Sequence, residues 1–189
     1  MAKALIIVDV QPTFCEGGAL PIEGGNDVAK RVAKYATKNA QNYDTIITTQ
    51  DWHIDPGAHF SDDPDYVDTW PPHGVAGTAE AELHPALGRV PIDYHLKKGQ
   101  YEASYSGFDG GCPDGTELAD ILQNEDVDEV DIVGLAFSHC VKETALDAAK
   151  KKFLSRVRIL KDLTESVSPE TEQIALDELA QTRVQIIHS

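Results

Sequence analysis

Basic residues are scarce. The 189-residue chain carries 16 Lys and Arg against 32 Asp and Glu, a formal net charge of −16. Phosphate binding needs a basic face, so this balance excludes a nucleic-acid binder and a polybasic membrane anchor. Long apolar runs are missing too, and no stretch approaches the roughly 20 residues of a membrane helix. The N-terminal run Ala4–Val8 is too short for a signal peptide and lacks a small-residue cleavage site. There are only three cysteines, at 15, 112 and 140, and an odd number cannot all pair within the chain. Without a signal peptide, this points to a reducing, cytoplasmic compartment and free thiols. No G-x-G-x-x-G follows the first apolar run, which argues against a nucleotide-binding dehydrogenase. Internal repeats and low-complexity tracts are absent. What is present is a hydrophobic content of 41%, enough for a core despite the charge, in a length that suits one domain.

Five apolar runs read as buried strands: Ala4–Val8, Thr45–Thr48, Val130–Leu135, Val157–Leu160 and Val184–Ile187. Asp93–Lys97 is a weaker sixth. Most are continuous rather than alternating, as in parallel sheets covered on both faces. Helical patterns lie between them. Asn26 reads as a cap for a helix to about Gln41, Thr116–Gln123 as a shorter helix, and Val141–Phe153 as another. Ser168-Pro169-Glu170 is a cap, a proline at the first position and an acid near the positive dipole end. The alternation implies a three-layer, doubly wound α/β fold with a mostly parallel six-stranded sheet and helices on both faces.

Residues 50–92 break the pattern. These 43 residues hold six prolines, four of the seven histidines and both tryptophans. Loops beyond about 12–15 residues are uncommon unless they carry function. The segment is too short to fold alone, so it reads as an extended active-site loop within one domain spanning 1–189.

In open α/β sheets the site lies beyond the carboxyl ends of the strands. There the sequence offers Asp9, then Asp51 and His53, then Lys97 or Lys98, then Cys140. A thiol opening a helix feels the positive dipole end, which lowers its pKa, and the free amides there can donate to an oxyanion. Asp9 ends an apolar strand, so desolvation raises its pKa and suits it to act as a base. Spacing does not choose between Lys97 and Lys98. Asp51, His53, His59 and His73 form an N/O set suited to Zn²⁺, Fe²⁺ or Mn²⁺. Phe14, Trp52, Trp70 and Tyr105 are loop aromatics that either hold a planar ligand or close the loop, and Trp52 fits the second role. His84-Pro85 reads as turn chemistry.

Several segments occur in a telling order. They are Ile6-Ile7-Val8-Asp9-Val10-Gln11, Thr49-Gln50-Asp51-Trp52-His53, Trp70 to Thr78, Lys98-Gly99 with Tyr105-Ser106-Gly107-Phe108, and Gly134 to Val141. Together they resemble the nicotinamidase (pyrazinamidase) branch of the isochorismatase-like cysteine hydrolases. The resemblance implies a triad of Asp9, Lys98 and Cys140, Lys98 being chosen because the family's lysine directly precedes the glycine. It implies one divalent ion, Zn²⁺ foremost with Fe²⁺ or Mn²⁺ also fitting, on Asp51, His53 and His73, with His59 a ligand in some members. Phe14 and Trp70 match residues that flank the ring, and Tyr105 and His139 match positions lining the site. A cis peptide is expected at Ala136–Phe137, with the amides of Ala136 and Cys140 as oxyanion hole.

The implied reaction is hydrolysis of nicotinamide to nicotinate and ammonia in NAD salvage, through a thioester, with pyrazinamide as a further substrate. Phe137-Ser138 departs from a frequent Thr-Asp, a change expected at the pocket wall or an interface. Gly74 replaces a frequent cysteine, a change expected to have no effect. The residues leave open a metal-free amidase of the same superfamily, a non-catalytic Rossmann-like module, and a homo-oligomer.

Overall fold

The computed structural model describes residues 1–189. Six strands, β1 (Ala2–Val8), β2 (Thr45–Asp51), β3 (Tyr94–Lys98), β4 (Val127–Leu135), β5 (Arg156–Glu165) and β6 (Gln185–Ile187), form one sheet in the order β3-β2-β1-β4-β5-β6. Every pairing is parallel. The order reverses at β1, so the crevice between β1 and β4 is the switch point where such sheets place a site. All six expected runs are strands, most of them longer than their apolar stretch. β2 reaches Asp51 and β3 reaches Lys98.

Side chains alternate across the sheet, and each face builds its own core. Ala4, Ile6 and Val8 of β1 join Val130 and Ile132 of β4 under helices α2 (Leu118–Asn124), α3 (Lys142–Lys150) and α4 (Pro169–Leu179). Leu5 and Ile7 join Val133 and Leu135 under helix α1 (Gly25–Asn39) and the short turn Pro85–Arg89. Each fully buried aliphatic side chain contributes about 1.5–3 kcal/mol. No helix is long and apolar enough to cross a membrane.

The starts of α1 and α3 differ from the sequence expectation. α1 starts one residue before Asn26, with Gly24 at its cap in a left-handed conformation. The Glu16 carboxylate, ten residues back in sequence, takes the Gly24 and Asn26 amides at 2.7 and 2.9 Å. A remote carboxylate thus replaces the local cap. The helix expected from Val141 begins earlier, in a π-helical turn over Phe137–Val141 that runs into α3. Such turns are frequent at functional sites. α4 starts where expected: the Ser168 hydroxyl and Thr171 cap each other, with Thr171 in the place more often held by Glu.

Candidate active site

The carboxyl ends of β1, β2, β3 and β4 bring Asp9, Asp51, Lys98 and Cys140 together. Asp51 and Lys98 are register partners at the last rung of the β2·β3 ladder. Lys98 is 1% exposed. Its ammonium lies 3.0 Å from Asp9 Oδ2 and 3.7 Å from Cys140 Sγ. It also donates to Asp51 Oδ1 and, at 3.2 Å, to the Ser104 carbonyl. Strand alternation sends Lys97 the other way, its ammonium 3.1 Å from the centroid of the Trp52 ring. Geometry therefore separates the two lysines that spacing left equal, and it gives Trp52 a packing role outside the cavity.

Asp9 sits at φ 46°, an uncommon backbone state for a non-glycine residue. Its Oδ1 accepts from the Thr49 hydroxyl at 2.6 Å. Burial raises the Asp9 pKa against the pull of Lys98, as expected for a base. Burial also pushes up Asp51, but Lys98 and His53 outweigh it and hold that carboxylate below its ordinary range. The thiol runs against the sequence expectation. Burial lifts the Cys140 pKa well above its usual value, Lys98 draws it down, and Asp9 and Asp51 push it back up. Desolvation is the largest of these influences, and the two carboxylates add to it.

Above Asp51 stand three histidines. Ligand atoms of His53, His59 and His73 lie within 4.8 Å of one another. Asp51 Oδ2 is 3.5 Å from His53 Nε2 and 3.7 Å from His73 Nε2. His53 Nδ1 donates to the Gly99 carbonyl at 2.5 Å and His73 Nδ1 to the Pro71 carbonyl at 2.8 Å. Each bond leaves a lone pair on Nε2, the arrangement that orients metal-ligating histidines. Burial lowers His73 to about 4, so the ring is neutral. His53 Nε2 and His59 Nδ1 are buried without a partner. Two carboxylates face one ammonium beside two imidazoles that each carry an unpartnered nitrogen. That set fits a divalent cation, and it includes His59, the least secure of the expected ligands.

Gly99 and Gly74 make this packing feasible. At Gly99 (φ 68°) a Cβ would lie 2.6 Å from His53 Cε1. At Gly74 (φ 53°) it would lie 2.9 Å from Asp51 Cβ. Glycine at 74 therefore meets a requirement of this backbone, which leaves no room for a side chain.

A cavity of ≈ 60 Å³ opens beside the thiol. Phe14, Trp70, Tyr105 and His139 line it, with Asp51, His59, His73, Ala136 and Cys140. The Trp70 indole donates to the Tyr105 hydroxyl at 2.9 Å. The Ala136 amide makes no hydrogen bond, and that of Cys140 finds no acceptor outside its own turn. The cis peptide is Leu135–Ala136, one bond earlier than expected at Ala136–Phe137. Phe137 is not at the wall: it is fully buried in the core.

Sequence reasoning missed Leu20, Pro21, Ile22, Ser104 and Val167, which complete the wall. It also missed Gln11, whose amide clamps the Asp51 backbone from both sides, at 2.9 Å each. A signal existed for Gln11 and Thr49, polar residues flanking apolar strand ends. None existed for Leu20 or Val167, which arrive by tertiary packing. Cys15 and Cys112 are free and away from the site.

The isochorismatase domain model matches residues 3–189. The chain belongs to the isochorismatase family. It is 46% identical over 187 residues to the Mycobacterium tuberculosis nicotinamidase/pyrazinamidase, covering 99% of both chains. It is 34% identical to the Escherichia coli nicotinamidase, covering 85% of this chain and 81% of that protein. The crystal structure of a Pyrococcus horikoshii pyrazinamidase in complex with zinc superposes with a TM-score of 0.83 at 33% identity, covering all of both chains. Its agreement extends to the three-layer arrangement and the parallel sheet of this isochorismatase-family member.

Proposed function

We propose that the chain is an amidohydrolase that converts nicotinamide to nicotinate and ammonia, accepts pyrazinamide, and serves NAD salvage. One observation carries the reading: a buried Cys140–Lys98–Asp9 cluster adjoins a carboxylate–histidine cluster across one small aromatic cavity. The whole-length likeness to nicotinamidases supports the substrate class.

The chemistry follows from the charges. Asp9 takes the thiol proton, and Lys98 stabilises the resulting anion. Burial raises the Asp9 pKa and so strengthens it as a base, while Lys98 draws the thiol pKa down. Cys140 Sγ attacks the carboxamide carbon, and the Ala136 and Cys140 amides receive the oxyanion, at about 3–4 kcal/mol per donor. Asp9 returns its proton to the departing ammonia. A water, deprotonated by Asp9, then opens the thioester and releases the acid. Phe14, Trp70, Tyr105 and His139 hold the planar ring. Asp51, His53, His73 and His59 would hold a divalent ion, Zn²⁺, Fe²⁺ or Mn²⁺. When bound, such an ion supplies a Lewis-acid site that orients a ring nitrogen. The loop over residues 50–92 serves as the site loop of a single domain, and free thiols suit a reducing, cytoplasmic setting.

Ammonia release from nicotinamide tests the reading. The purified protein is expected to release it, and Cys140→Ala to abolish it while fold and bound metal persist. Near-wild-type release by Cys140→Ala would overturn the mechanism.

A further inference from the structure

We propose that Ser138 is a positioning residue that fixes the tautomer of His139, so that the cavity presents an N–H donor there. Three groups form a chain. The Val167 amide donates to Ser138 Oγ at 3.2 Å, and Ser138 Oγ lies 2.9 Å from His139 Nδ1. Ser138 is 5% exposed, and its hydroxyl has no other protein partner. An amide can only donate, so Oγ accepts from Val167. If Oγ also accepted from the ring, its own proton would be buried and unpaired, which is costly. The hydroxyl therefore donates to Nδ1, and the neutral ring carries its proton on Nε2. Burial, helped by Lys142, lowers the His139 pKa and keeps the ring neutral.

Nε2 has no protein partner, and the ring lines the cavity, edge-on to Trp70 at 5.5 Å. The wall thus offers a donor to an acceptor on the bound molecule, an amide oxygen or a ring nitrogen. The same hydroxyl ties this ring to Val167, another cavity-lining residue, just ahead of α4. The inference deepens the proposed function and rests on it only for the identity of the amide.

The test uses the full chain and two readouts. Ring ¹⁵N shifts of His139 report the tautomer directly. Wild type is expected in the Nε2–H form, Ser138→Ala as a mixture of both tautomers, Ser138→Thr as wild type, and Ser138→Asp as Nδ1–H, because a carboxylate can only accept. With nicotinamide, Ser138→Asp is expected to raise KM about tenfold with kcat within twofold, and Ser138→Thr to restore it. An Nδ1–H ring in wild type, an unchanged tautomer in Ser138→Ala, or a switched tautomer with unchanged KM would each overturn the proposal. Ser138→Ala and Ser138→Thr keep the test decisive if the aspartate variant fails to fold. A wild-type protein that binds but does not hydrolyse nicotinamide would sink the proposed function and leave the tautomer result intact.

Discussion

The sheet buries two carboxylate–cation networks with opposite proportions. Midway along β4, Asp131 is paired with Lys3 at 2.7 Å and Arg158 at 2.6 Å, and it accepts from the Tyr43 hydroxyl at 2.7 Å. One carboxylate has two cations and a phenol, so its charge is more than met. At the carboxyl ends, Asp9 and Asp51 share the single ammonium of Lys98, and two buried histidine nitrogens nearby have no partner. The first network is complete in the protein alone. The second is short of positive charge and of hydrogen-bond partners, and a site can hold a cation and a reacting substrate only if it leaves such vacancies.

The same substitution made in both places breaks the comparison most sharply. Asp51→Asn is expected to lower ammonia release by at least about 100-fold and to strip bound metal, with little loss of stability. Metal content and thermal unfolding measured together check this, and a normally active variant would remove Asp51 from the site. Asp131→Asn is expected to do the reverse. It breaks a buried pair and costs about 3 kcal/mol, a fall of roughly 6–12 °C in Tm, while kcat/KM of the folded protein stays within twofold.

Smaller effects sharpen the contrast. Gly74→Ala forces a Cβ toward Asp51 at a left-handed position and is expected to cost about 1–3 kcal/mol, with weaker metal retention seen by titration. Mildest is Glu16→Gln, at the α1 cap. Backbone amides of Asn26 and Gly24 hold the Glu16 carboxyl down at about 2. Its contribution is therefore present above the ordinary glutamate range and lost as pH falls toward about 2. The variant should melt slightly lower than wild type at pH 7, and the gap should close in acid. A gap independent of pH would place the effect elsewhere.

Much of this arrangement was legible in the residues. Continuous apolar runs marked the strands because both faces of a parallel sheet are covered. The strand ends then pointed to Asp9, Asp51 and Cys140. Lys97 and Lys98 were not separable, since alternation decides the inward one only once the register with β2 is known. The early start of the helix at Phe137 was hidden, because Phe137-Ser138-His139 carries no cap signal and its π turn is set by packing. The thiol pKa was misjudged for a related reason: a helix terminus is visible in sequence, but two buried carboxylates converging from other strands are not. The need for glycine at 74 was hidden as well, since it rests on a backbone conformation and a distance from Asp51 that only the fold supplies.

The parallel pairing of β1 with β4 has a consequence for how the molecule is made. Ile6 and Ile132 are register partners although most of the chain separates them. Strands β1 to β3 can associate early and bring Asp9, Asp51 and Lys98 close together. The thiol joins them only when β4 docks in the centre, a long-range closure and an intrinsically slow one. During synthesis Cys140 is the last of the four to emerge. A chain in which β4 has not yet docked therefore lacks Cys140 beside Asp9 and Lys98, and the proposed reactivity depends on the β1·β4 pairing.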